Sequence, residues 1–292
     1  MLKRSFGNTG ISVSALGFGA GHIGGEDKSD SEVFRLLDAV IDSGINLIDT
    51  ARGYGLSEER IGKWIRGKKN EVIISTKVGY GIEGIEDWTY ECIIKGVEAA
   101  RGFLSRDTID IVHLHSCSSL ILQNNGVVEA LLKCKEEGKI GCAAYSGENE
   151  DLQTAMSFGC FDSFQFSYNL FDQNNYESIN HLSLSGRGVI IKRPIANAPW
   201  RFKTQPFGNY CEEYWLRMKK MGVEMTEDEY LPAAVKFSAF ASGVSTIIAG
   251  TGSVDHLMSI VKAIEEGDLE AELRERFIHC FNHHQDDWRP QI

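Results

Sequence analysis

Proline is scarce in this chain, five residues in 292, and no Ser- or Gly-rich stretch interrupts it. With no linker composition to mark a boundary, residues 1–292 are expected to form one domain. Long apolar runs are also missing. None could cross a bilayer as a helix, and the opening MLKRSFGNTG lacks the apolar centre of a secretory signal. The expected location is therefore cytoplasmic, with no membrane partner. Basic residues are outnumbered, 30 against 41 acidic ones, for a formal net charge of -11 with no compensating basic run. A phosphate backbone would be repelled, so nucleic acid is not an expected partner. The seven cysteines are odd in number and contain no C-x-x-C pair. That argues against a zinc ribbon or a disulfide framework and for reduced thiols.

What the chain does have is alternation. Short β-branched runs recur at 14–20, 46–51, 72–78, about 110–116, 140–146, 162–168, 188–195 and 244–250, with helical patterns between them. Val33, Leu36, Leu37, Val40 and Ile41 mark one apolar helical face, stopped by Gly44, and Leu257, Ile260, Val261 and Ile264 mark another. Eight strand-helix units imply an α/β fold of the (β/α)8 TIM-barrel type, with chemistry gathered where strands end. The rival is a dinucleotide-binding doubly wound sheet, because Gly19 to Gly24 reads G-x-G-x-x-G after a strand. That fingerprint needs its helix to open on the glycines, whereas EDKSDS (26–31) intervenes before the helical period near Val33. The barrel is the better reading, with the glycines allowing close backbone approach at its mouth.

Several ionisable residues fall at the strand ends. Asp49 closes the second strand, Lys77 the third, and His113 and His115 lie on the fourth; Tyr54 follows Asp49 in a loop before a helix starting near Ser57. A lysine in an apolar strand must be neutral or paired with an acid, and Asp49 is the nearest candidate. A tyrosine beside that lysine would have its pKa lowered by the positive charge, making Tyr54 a usable general acid. Such a group can protonate a carbonyl oxygen as hydride reaches its carbon, while a histidine donates a hydrogen bond to the same oxygen.

These residues resemble the aldo-keto reductase family nearly end to end. RSFGNTGISVSALGFGAG resembles that family's opening β-hairpin and first strand, DTARGYGLSEERIGKWI its aspartate-tyrosine signature, STKV its lysine strand and IDIVHLHS its histidine strand. The resemblance implies a catalytic set of Asp49, Tyr54, Lys77 and His115. In it Tyr54 exchanges the proton, Lys77 and Asp49 tune it, and His115 orients the substrate. It further implies an NAD(P)(H)-dependent oxidoreductase acting on a carbonyl or alcohol, an aldehyde, ketone or sugar, with no metal. NADP(H) is expected ahead of NAD(H), and the cofactor-binding positions are Gly19, Asp49, Ser146, Gln165, Lys192, Gly250, Thr251 and His256. The chain departs from the family pattern at several of these. Gly147 stands for an asparagine, Lys192 for the aromatic that stacks on the nicotinamide, Gly250 for a phosphate-binding lysine, His256 for an arginine and Ile260 for an adenine-binding asparagine.

Other features have plainer readings. His113 shares a strand face with His115 one layer deeper and is expected to be a satisfied core histidine. Lys192 either contacts the cofactor or lies at the rim. His279, Cys280, His283 and His284 have helical metal-site spacing but are expected to be solvated. The long connection 197–230 carries Trp200, Phe202, Phe207, Tyr210, Tyr214 and Trp215, some of which should wall the substrate pocket, while Tyr214 and Trp215 pack on the barrel. The tail puts Trp288 and Arg289 within reach of the same mouth. Two alternatives stay open: a reductase-like regulatory or binding protein with weak catalysis, and a metal-dependent hydrolase built on His113-Leu114-His115.

Overall fold

Two short strands, β1 (Lys3–Ser5) and β2 (Ser12–Ser14), pair antiparallel at the start of the chain. They are seen in a computed structural model that describes residues 1–66, 68, 72–285 and 288–291. Strands β3 (Leu16–Gly19), β4 (Leu47–Asp49), β5 (Ile73–Val78), β6 (Ile109–His115), β7 (Ile140–Ser146), β8 (Ser163–Ser167), β9 (Gly188–Lys192) and β10 (Thr246–Ala249) follow. They close in chain order into a parallel barrel, with β10 hydrogen-bonded to β3. Helices α1 (Asp30–Asp42), α2 (Ser57–Ile65), α3 (Tyr90–Leu104), α4 (Ser119–Asn124), α5 (Val127–Glu136), α6 (Asn149–Ser157), α7 (Tyr176–Leu184), α8 (Glu212–Met221), α9 (Glu227–Ala239), α10 (Val254–Glu265) and α11 (Ala271–His284) surround it. The fold is the expected (β/α)8 barrel with an N-terminal hairpin.

Local chemistry sets the boundaries. Helix α1 begins at Asp30, three residues before the apolar period, because Ser29 and Glu32 form a capping box: the Ser29 side chain accepts from the Glu32 N–H and the Glu32 carboxylate from the Ser29 N–H. Gly44 ends that helix in the left-handed region at φ +79. The Gly19–Gly24 stretch opens no long helix; Ala20–Ile23 make a single 3-10 turn. Strand β9 stops at Lys192, short of the expected 195, because Arg193 turns to φ +54 and Pro194 has no N–H for the ladder. Among the described residues no helix is long and apolar enough to cross a membrane.

The strand period of two explains where the chemistry sits. Ile48, Ile74, Val112, Leu114, Phe164, Phe166, Val189, Ile191 and Ile247 face outward into the core beneath the helices. Leu47, Ile111, Cys142, Ala144, Ile190 and Ile248 face inward and form a separate apolar plug with Phe6 and Val13 from the hairpin region. Further along β4, β6, β7 and β9 the same inward face becomes polar: Asp49 follows Leu47, His113 and then His115 follow Ile111, Ser146 follows Ala144, and Lys192 follows Ile190. The barrel is therefore sealed with hydrocarbon at its N-terminal end and lined with ionisable groups at its C-terminal end.

Candidate active site

Asp49 and Lys77 form a buried ion pair at the centre of this polar layer, with Nζ 2.5 Å from Oδ2 and each side chain 2% exposed. Lys77 also donates to the Thr50 carbonyl at 2.8 Å. The other Asp49 oxygen accepts from Ser75 Oγ at 2.7 Å and from Gln165 Nε2 at 2.9 Å. Burial alone would raise the Asp49 carboxyl. The Lys77 charge and these bonds outweigh it and hold the carboxyl below its ordinary range.

Tyr54 lies half-buried above this pair, its ring centroid 5.1 Å from Lys77 Nζ. The His115 ring meets Tyr54 edge-on, with centroids 6.0 Å apart. Burial, together with the Lys77 and Lys192 charges, pushes the His115 imidazole down to about 3, so it is neutral at pH 7. His113 lies deeper and is fully buried. Its Nε2 is 3.1 Å from Ser75 Oγ, while Nδ1 has no well-formed partner, so the satisfied core histidine is satisfied at one nitrogen. Burial pushes it down to about 4. No group of three or more His, Cys, Asp and Glu converges as a metal site among the described residues.

A cavity of about 630 Å³ opens over this layer. Gly19, Asp49, Tyr54, Lys192, Gly250, Thr251 and His256 line it, as does Ile260. Gly19 and Gly250 face each other across adjacent strands: a Cβ on Gly19 would lie 3.2 Å from the Gly250 nitrogen, and one on Gly250 would lie 2.9 Å from the Gly19 carbonyl oxygen. The absence of a lysine at 250 thus has a steric cause, since the backbone of β3 and the ring of His22 already occupy that space. Ser146 and Gln165 are buried below the cavity, bonded to each other at 3.0 Å and through Gln165 to Asp49. Lys77 and His115 stand behind and beside Tyr54 rather than along the cavity's length.

Lys192 is neither a rim lysine nor free. Its side chain is 17% exposed and pairs at 3.3 Å with Glu148, whose carboxylate is fully buried. Glu148 also accepts from the Ser167 N–H at 2.8 Å and from Asn175 Nδ2 at 3.0 Å. Burial pulls Lys192 below the ordinary lysine range against the attraction of Glu148. Sequence reasoning missed Glu148, although an acid just beyond the seventh strand opposite a lysine just inside the ninth was a usable signal. It also missed Tyr80, whose hydroxyl lies 2.7 Å from His115 Nδ1.

Of the seven aromatics in the 197–230 connection, only Trp200 lines the cavity, stacked on Tyr230, the seventh, at 5.2 Å. Tyr214 is buried as expected and Trp215 Nε1 donates to the Phe202 carbonyl at 2.9 Å, whereas Phe207 is 80% exposed. Trp288 packs against Phe281 and the guanidinium of Arg217 instead of the cavity. His284 bonds the Cys280 carbonyl within α11.

The chain belongs to the aldo/keto reductase family, whose profile matches residues 15–277. Among its relatives, pyridoxal 4-dehydrogenase of Microbacterium luteolum is 43% identical, covering 90% of this chain and 93% of that protein. L-galactose dehydrogenase of Arabidopsis thaliana is 28% identical, covering 90% and 88%. The solved holo form of an aldo-keto reductase from Bacillus halodurans superposes with a TM-score of 0.80 at 27% identity, covering 96% of each chain.

Proposed function

We propose that this protein is a cytoplasmic, single-domain oxidoreductase that transfers hydride between a nicotinamide cofactor and a carbonyl or alcohol substrate, an aldehyde, ketone or sugar. The observation that carries the reading is Tyr54 on the cavity wall, with the Lys77 ammonium 5.1 Å below its ring and His115 edge-on beside it. The cofactor fits the residues present. The Gly19–Gly250 cradle keeps side chains out of the cavity floor, and Lys192, Arg193, Arg201 and His256 along its wall suit a phosphate-bearing ligand. NADP(H) is favoured over NAD(H) by Lys192, Arg193 and Arg201 on that wall, and the named dehydrogenase relatives support the reaction class.

When bound, the nicotinamide supplies or accepts the hydride. Tyr54 gives its phenolic proton to the substrate oxygen in reduction and takes it back in oxidation. Lys77, held by Asp49 and Thr50, keeps a positive charge next to the phenolate that results. Neutral His115 hydrogen-bonds the same oxygen without competing for the proton. Ser146 and Gln165 bind the nicotinamide amide in this reading and fix Asp49 from beneath. Tyr54→Phe tests it: turnover should fall by roughly 10²–10⁴-fold with the fold and cofactor binding intact. Undiminished turnover would remove Tyr54 from the chemistry.

A further inference from the structure

We propose that Tyr80 is a positioning residue that fixes His115 as its Nε2–H tautomer, leaving that nitrogen as the single donor facing the substrate oxygen. This rests on the reading of His115 given above. Tyr80 comes just after β5, and three neighbours hold its ring. It stacks on the His115 imidazole at 5.5 Å and 25°, and Trp88 meets it edge-on at 5.8 Å. Gly53 leaves the space its hydroxyl occupies, since a Cβ there would lie 2.7 Å from that oxygen. Its hydroxyl is thereby brought to 2.7 Å from His115 Nδ1.

The direction of that bond follows from the two groups. Burial raises the Tyr80 phenol, which keeps its proton, and His115 is neutral, with one N–H to place on one of two nitrogens. A phenol is the stronger donor and an imidazole nitrogen the stronger acceptor. In the reverse arrangement the Tyr80 O–H would need another acceptor, and its hydroxyl has no other hydrogen-bond partner among the described residues. The proton therefore sits on Nε2, which has no protein partner among the described residues. A carboxylate against Nδ1 would do the opposite, drawing the proton to Nδ1 and turning Nε2 into an acceptor. A phenol here selects a histidine that donates to an oxygen and stays neutral.

The test begins with the protein alone. In the imidazole ¹⁵N spectrum of ¹⁵N-histidine-labelled protein, the signal lost in His115→Gln identifies His115, and it should show a protonated Nε2 and an unprotonated Nδ1. Tyr80→Phe keeps both ring contacts and should shift that pattern toward a mixture of tautomers. A proton on Nδ1 in the unaltered protein, or the same pattern in both proteins, would overturn the proposal. Kinetics give the second arm. Tyr80→Phe should lower kcat/KM about 10-fold, the loss expected for one positioned hydrogen bond, and by less than about 2-fold in a His115→Gln background. Equal losses in both backgrounds would mean that Tyr80 acts without His115. Because the spectrum needs neither cofactor nor substrate, a Tyr80-dependent tautomer in a protein that binds no nicotinamide would sink the proposed function and leave this inference standing.

Discussion

Replacing Lys77 by methionine removes the cation bonded to the buried Asp49 carboxylate, and the size of the effect can be worked from the site. Ser75 and Gln165 still donate to one Asp49 oxygen, but Oδ2 loses its 2.5 Å partner. A buried pair broken on one side ordinarily costs about 3–5 kcal/mol. The penalty has a ceiling, because the folded protein can protonate Asp49 instead. From an ordinary value near 3.8, that protonation costs about 4 kcal/mol at pH 7 and about 1.5 kcal/mol at pH 5. The destabilisation by Lys77→Met should therefore shrink by about half between those two pH values. In the unaltered protein the sign is opposite. The lowered Asp49 carboxyl contributes stability that is present above its ordinary value and lost only as pH falls through its folded value, so this group adds no slope from pH 7 to 5. Adding Asp49→Asn to Lys77→Met removes the orphaned charge and should restore part of the loss at pH 7. Urea unfolding of the three proteins at both pH values is the assay. An equal loss for Lys77→Met at pH 7 and pH 5, or a double variant weaker than the single one, would refute the account of the pair.

Two further outcomes can be checked. The Asp172 carboxyl is pushed up to about 6 by burial against the pull of Arg217. Its protonated form is the one the fold favours, so its contribution is full below about 3.8 and lost as pH rises through about 6. Asp172→Asn should flatten the stability change between pH 4.5 and 7 relative to the unaltered protein, as read by urea midpoints, and identical slopes would contradict it. His256 lines the cavity near the start of α10, an exposed position where a permanent cation can be accommodated. His256→Arg should tighten NADPH over NADH by about 10-fold, measured as the ratio of the two Kd values.

Alternation made the barrel legible. Each apolar run that fell on a strand had its inward and outward residues fixed by parity, so Asp49, Lys77 and His115 could be assigned to strand ends without any tertiary information. Their assembly into one site followed from the closed order of strands, and the resemblance supplied their roles. Contacts across the barrel stayed out of reach. Gln165 is 116 residues from Asp49, yet it bonds the carboxylate directly, and nothing local in SFQFSYN announces that. Glu148 beside Lys192 and Tyr80 against His115 are pairs of the same kind, joining residues of separate strand-helix units that only the closed barrel brings together. For the 197–230 aromatics the expected helix packing of Tyr214 and Trp215 is met, while composition does not tell which of the others wall the pocket. Tyr214 and Trp215 belong to α8, Phe207 points to solvent, and Trp200 alone reaches the cavity.

The central claim is that the cavity over Asp49, Tyr54 and Lys77 is a nicotinamide cofactor site. Parallel titrations of the purified protein with NADPH and NADH test it most directly, following tryptophan quenching, for which Trp200 on the cavity wall is the reporter, together with the nicotinamide emission. The account predicts saturable quenching with both cofactors and the tighter curve for NADPH. Saturation with neither would contradict it and remove the hydride chemistry from this barrel.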